Sequence, residues 1–179
     1  MPADITVRRA DPAEADLVGE LTERAYRDSG FGSNAYSEVL RDGRSRVRDG
    51  IVLVAAADGT ITGTVTLALP GTPLAHLCRA DEAEVRMLAV DEAARGHGVA
   101  DRLMAACETV ARDQGLAAMI LCTETRMHAA RRLYERRGYL RDPARDWQIR
   151  NVRLIAYRPP PVTPRRAPRP RPGCGPGRR

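Results

Sequence analysis

Lysine is absent from the sequence: all 29 basic residues are arginine. A lysine Schiff base, a lysine general base and the lysine of a P-loop are therefore excluded. Long apolar runs are missing as well. The opening stretch MPADITVRRADPAEADLVGE is interrupted by charge throughout and holds no signal-peptide core, and no segment reaches membrane-spanning length. Cysteine is sparse, and Cys78, Cys107, Cys122 and Cys174 fall at no zinc-site or thioredoxin spacing. A reducing cytoplasm is the expected location, with no membrane partner and no metal.

The net charge of +6 suggests nucleic acid, but its distribution removes the suggestion. Six arginines (165, 166, 169, 171, 178 and 179) and no acid lie from Pro159 onward. Removing them from the 29 basic residues leaves 23, equal to the 23 acidic residues, so residues 1–158 are formally neutral. Nucleic-acid contact is expected, if anywhere, only at the tail. Eight of the thirteen prolines also lie in PPPVTPRRAPRPRPGCGPGRR, which has too little apolar surface to offset its ordering entropy. The expected organisation is one domain over 1–158 followed by a disordered Pro/Arg-rich tail over 159–179.

Periodicity supplies the elements. ITVRRA reads as a first strand. DPAEADLVGELTERAY reads as a helix, with Asp11 as its cap, Pro12 in the first turn and Glu14 completing a capping box. The polar, glycine-punctuated region 27–50 is expected to hold one helix around Tyr36 to Arg48. IVLVAAADGTITGTVTLAL is a hairpin turning at Asp58-Gly59, and AEVRMLAV is a further strand. From His97 the residues Val99, Leu103, Cys107 and Val110 recur at helical spacing until Gly115. LAAMILC is then a strand, MHAARRLYERR a helix and VRLIAY a final strand. A hairpin followed by a β-α-β crossover implies a mixed sheet with helices on its faces.

Between the strand AEVRMLAV and the following helix lies ARGHGVA. On these residues alone the loop admits three readings: a phosphate cradle of backbone amides at a helix N-terminus, a histidine site between two hinges, or a turn. No Walker motif is present, and the dinucleotide fingerprint lacks its third glycine. His76-x-Cys78 and Cys122…His128 lack the company of a zinc site, and Cys122 reads as a small core residue rather than a nucleophile.

The run EVRMLAVDEAARGHGVADRLM resembles the core motif of the GNAT superfamily of N-acetyltransferases, [QR]-x-x-G-x-[GA], here Arg95-Gly96-His97-Gly98-Val99-Ala100. MHAARRLYERRGYL is similar to the family's second motif, A-x-x-x-Y-x-x-x-G-[FY], with Ala130, Tyr134, Gly138 and Tyr139 in place. The resemblance covers about residues 5–157. It implies an α/β fold of α+β type, the acyl-CoA N-acyltransferase fold, with a mixed, mainly antiparallel central sheet and helices on both faces. It also implies acetyl-CoA as co-substrate. Leu88, Ala89 and Val90 match the positions that lend backbone groups to the pantetheine. Arg95, Gly96, His97, Gly98, Val99, Ala100 and Asp101 match the pyrophosphate loop, where His97 contributes chiefly its amide. Met127 stands where the family often has an asparagine, which removes one polar contact to the pantetheine arm.

The implied reaction is acetyl transfer to a primary amine by direct attack on the thioester. A protonated alkyl amine cannot attack, so a base is wanted, and Glu84 matches the family's general base, acting directly or through water. Tyr134 matches the acid that protonates the leaving thiolate, and a strand amide near Leu88 or Ala89 would hold the oxyanion. The acceptor is a small molecule or a peptide amine, shaped by about 27–50 and 70–83, with Asp81, Glu82 and Glu84 favouring a cationic one. Rival expectations are a non-catalytic acyl-CoA-binding module, acetylation of protein amino groups, and a tail that binds nucleic acid. A homodimer is a further expectation, formed through an exposed final strand.

Overall fold

The computed structural model describes residues 4–31, 34–149 and 151–160. The proposed tail lies, from residue 161, outside the described residues. Strand β1 (Ile5–Arg9) leads through a short 3-10 turn into α1 (Ala15–Asp28). The capping box forms as the residue pattern predicts: Asp11 accepts from the Ala13 amide and Glu14 from the Asp11 amide. Glu14 also receives a two-pronged contact from Arg8 at 2.8 and 2.7 Å, which ties the helix start to β1.

The single helix expected around 36–48 is two, α2 (Asn34–Arg41) and α3 (Gly43–Asp49). Asp42 divides them, because its carboxylate turns to accept the Ser45 amide and cap α3. These helices lie against α1 at backbone distance. A Cβ on Gly43 would stand 1.8 Å from the Ala15 carbonyl oxygen, and one on Gly19 would stand 2.0 Å from that of Arg41. Between the helices Arg46 is fully buried, donating to Thr22 Oγ1 at 3.1 Å and to the Leu40 carbonyl at 2.8 Å.

The hairpin of β2 (Ile51–Ala57) and β3 (Thr60–Ala68) turns at Asp58 (φ 50°) and Gly59 (φ 77°). Then come β4 (Glu82–Val90), α4 (Val99–Asp113), β5 (Ala118–Glu124), α5 (His128–Arg136), β6 (Leu140–Arg141), β7 (Trp147–Ile149) and β8 (Val152–Arg158). The eight strands form one sheet in the order β1-β2-β3-β4-β5-β8-β6, with β7 also paired to β8. Among the described residues only β4 and β5 run parallel.

Both faces are covered, which is why β2 is an unbroken apolar run. Leu53, Val65, Val85 and Leu121 pack under Leu103, Met104 and Cys107 of α4 and Leu133 of α5. On the other face Val52 and Val54 meet Val18, Leu21 and Ala25 of α1. Strand β8 is not the free edge the sequence suggests. The short strands β6 and β7 cover its outer side, and they are too brief to leave a periodicity in the sequence. Among the described residues no helix is long and apolar enough to cross a membrane.

Gly43→Ala forces a methyl into a backbone oxygen and is expected to destabilise the fold by at least about 2 kcal/mol in urea denaturation. Separately, the Arg8 guanidinium, helped by the Asp11 amide, holds the Glu14 carboxyl at about 2 instead of 4.5. A lowered folded-state value gives stability that is complete above the unfolded value and lost as pH falls toward 2. Glu14→Gln should therefore flatten the pH dependence of the urea midpoint between about 4.5 and about 2, without new dependence above it.

Candidate active site

Strand β4 carries the feature that creates the site. On β3, Thr64 faces Ala89 and Thr66 faces Arg86, so β4 has one residue more than β3 between the two pairs. The extra residue is absorbed at Met87, whose φ of 51° is a positive value outside glycine. Pairing with β5 ends just before this bulge, at Val85 opposite Leu121. Beyond it Ala89 and Val90 pair only with β3, while Cys122, Thr123 and Glu124 pair only with β8. The two strands part, and the edge of β4 that faced β5 is left without a ladder partner.

The gap opens into a cleft of about 710 Å³. Leu88, Ala89 and Val90 form one side of it, and Arg95, Gly96, Gly98, Val99, Ala100 and Asp101 another. Of the ten residues matched to the cofactor motif, His97 alone does not line the cleft; it is exposed, with Nδ1 2.9 Å from the Arg95 carbonyl. Gly96 (φ 81°) and Gly98 (φ 79°) are both left-handed, and a Cβ on either would meet nothing within 4 Å. Their glycines serve the backbone turn rather than relieve crowding. The first bond of α4 runs from the Arg102 amide to the Gly98 carbonyl, so the amides of Val99, Ala100 and Asp101 have no partner within the helix. Together with the helix dipole they present positive potential to the cleft.

Arg95 is placed differently from a free charge at the rim. Its guanidinium reaches back to the Ala25 carbonyl at 3.3 Å and Ser29 Oγ at 3.1 Å, joining the loop to the end of α1. Tyr26, Ser29 and Phe31, from that same end, line the cleft together with Met127, Ala130 and Leu133 of the opposite wall. Sequence reasoning missed the contribution of α1, since nothing in its apolar spacing shows which strand gap its C-terminus overlooks. It also missed Arg132 and Arg136 of α5, which line the cleft.

Glu84 and Tyr134 do not line the cleft; both are buried, at 1% and 5% exposure. Glu84 Oε2 accepts the amides of His76 and Leu77, each at 2.7 Å, and so fixes the loop between β3 and β4. Its Oε1 stands 3.9 Å from Arg86 Nε. The Arg86 guanidinium also donates to the Leu74 carbonyl and lies against Tyr36. Of the other acids, Glu82 is taken by both prongs of Arg145 at 2.6 and 2.9 Å, while Asp81 is exposed. The acidic character expected around 81–84 is thus largely spent on internal contacts. Burial and the Arg86 charge lower His76 and favour its neutral ring.

The Tyr134 ring packs 6.4 Å from Tyr139 and 5.9 Å from Tyr157. Burial, with Cys122 and Cys107 nearby, raises its phenol well above the usual range, so it keeps its proton at neutral pH. Cys122, the first β5 residue past the last β4–β5 pair, senses the charge of Glu84 and Arg86 and is itself sensed by Tyr134. It is only partly buried, which the apolar run MILC does not reveal.

The family model of the GNAT acetyltransferases matches residues 35–139, and the chain belongs to that family. PaiA N-acetyltransferase from Thermoplasma acidophilum, solved with coenzyme A, is similar in structure at a TM-score of 0.67 and 15% identity, covering 86% of this chain and 98% of that one. YncA from Salmonella typhimurium, solved with acetyl-CoA, superposes with a TM-score of 0.65 at 20% identity over 86% of this chain and 92% of its own. A ribosomal-protein-alanine N-acetyltransferase from Brucella melitensis gives 0.61 at 19% identity, with 86% and 98% covered. At these identities the likeness establishes the fold. No relative is found among curated protein sequences.

Burial also governs thiol chemistry beside the site. It pushes the Cys107 thiol up to about 12 and raises that of Cys122. Brief maleimide treatment at pH 8 should leave Cys107 unmodified in the native protein and label it after denaturation, as read by peptide mass mapping.

Proposed function

We propose that the protein transfers the acetyl group of acetyl-CoA to a primary amine by direct attack on the thioester. The observation that carries this reading is the parting of β4 from β5 beside the unpartnered amides of the 96–101 loop, in a chain of the GNAT family. Both features suit the ligand. The open edge of β4 at Leu88, Ala89 and Val90 offers hydrogen-bonding groups to the amides of pantetheine, and the loop amides with Arg95 offer positive potential to the pyrophosphate. Met127 offers the pantetheine an apolar contact and leaves α5 without a side-chain cap.

Glu84 is the proposed base. Two amides hold Oε2, leaving Oε1 to accept the amine proton through a bridging water. The neutral amine nitrogen then bonds to the thioester carbonyl carbon, and a backbone amide near Leu88 or Ala89 steadies the oxyanion. As the carbon–sulfur bond breaks, Tyr134 gives its proton to the departing sulfur, and the second proton of the positively charged nitrogen passes through solvent to the tyrosinate, leaving a neutral amide and free CoA thiol. The raised phenol value of Tyr134 suits a donor that must remain protonated until that moment.

Release of free CoA thiol from acetyl-CoA across a panel of amines tests the reading. Glu84→Gln preserves an acceptor for the His76 and Leu77 amides, so the thermal midpoint should stay near that of the parent while kcat falls about a hundredfold or more. Tyr134→Phe keeps the ring packing and should lower kcat by about tenfold or more. Tight binding of acetyl-CoA without turnover on any amine would sink the catalytic proposal and favour a binding module.

A further inference from the structure

We propose that the α5 wall of the cleft binds the 3′-phosphate of CoA through Arg132, with Arg136 beside it, so that the protein distinguishes CoA from 3′-dephospho-CoA. The inference rests on the acetyl-CoA reading and assigns a function to residues which that reading leaves unused.

Charge accounting within the cleft leads to it. The ionic side chains on its walls are Arg95, Asp101, Arg132 and Arg136. Arg95 is turned onto the Ala25 carbonyl and Ser29. Arg136 donates to Asp101 Oδ2 at 2.8 Å, and Arg137 reaches the other oxygen of the same carboxylate at 3.4 Å. The one acid is thus engaged twice. Arg132 is exposed and, among the described residues, makes no hydrogen bond or ion pair. It is the uncompensated cation of the cleft.

Its position indicates what it meets. The loop side already supplies backbone amides and a helix N-terminus, which suit the two diester charges of a pyrophosphate. Arg132 stands on another wall, one helical turn or about 6 Å along α5 from Arg136 and on the same side of that helix. An uncompensated cation there calls for a second anion on the same ligand. CoA carries one, a phosphomonoester of up to two charges with three terminal oxygens, and a guanidinium meets such a group with paired donors.

Calorimetric titration of the full chain with CoA and with 3′-dephospho-CoA tests this. The unmodified protein is expected to bind CoA about tenfold more tightly, with the gap narrowing as salt rises. Arg132→Gln should weaken CoA alone and bring the two ligands within about twofold. Arg112→Gln, which removes an exposed cation of α4 outside the cleft lining, should leave the gap intact. Equal affinities in the unmodified protein overturn the proposal while leaving the acetyl-CoA reading in place. Equal weakening of both ligands by Arg132→Gln also overturns it, by assigning the cation to the pyrophosphate. Failure of both ligands to bind removes the acetyl-CoA reading, and this inference with it.

Discussion

The extra residue in β4 is the constraint on which the site depends. A strand paired in register along both edges has no backbone to spare for a ligand; inserting Met87 against β3 rotates the strand and detaches its other edge from β5. The left-handed φ at Met87 costs about 1–2 kcal/mol, and the ladders on either side of it hold the conformation. Strain of this kind persists where the surrounding structure over-determines it. The proposed base Glu84 lies before that point and the open strand edge from Leu88 to Val90 after it, with Cys122 across the gap.

Arginine does inside this protein what lysine, a compact point charge, cannot. Arg46 satisfies acceptors from α1 and α2 with one planar group while fully buried, although burial lowers its guanidinium to about 10. Arg86 bridges Leu74, Tyr36 and Glu84 beneath the loop between β3 and β4. The planar guanidinium donates in several fixed directions at once and remains charged in surroundings that would neutralise an ammonium group.

The fold was legible wherever one physical signal dominated. The Asp11 to Glu14 cap, the Asp58-Gly59 turn and the α4 spacing each rest on local chemistry, and each forms as read. The division at Asp42 was not legible, because an aspartate within a helical pattern is a surface residue or a cap depending on which way its side chain turns. For the site, motif residues located the loop and the strand, and nine of the ten line the cleft. The bulge itself escaped: neither a glycine nor a break in hydrophobicity marks Met87. Side chains brought in from α1, and the capture of Glu84 by two amides of the loop before its own strand, depend on how the chain folds back and are encoded in no spacing.

The contact of α1 with α2 and α3 bears on how freely one wall of the cleft can move. At Gly19 and Gly43 backbone lies directly on backbone, and Arg46, buried between the helices, donates to acceptors of α1 and α2. Such a cap has few internal soft modes. The wall formed by Tyr26, Ser29 and Phe31 at the end of α1 is therefore tied to the position of the whole helix layer rather than set by its own side chains alone.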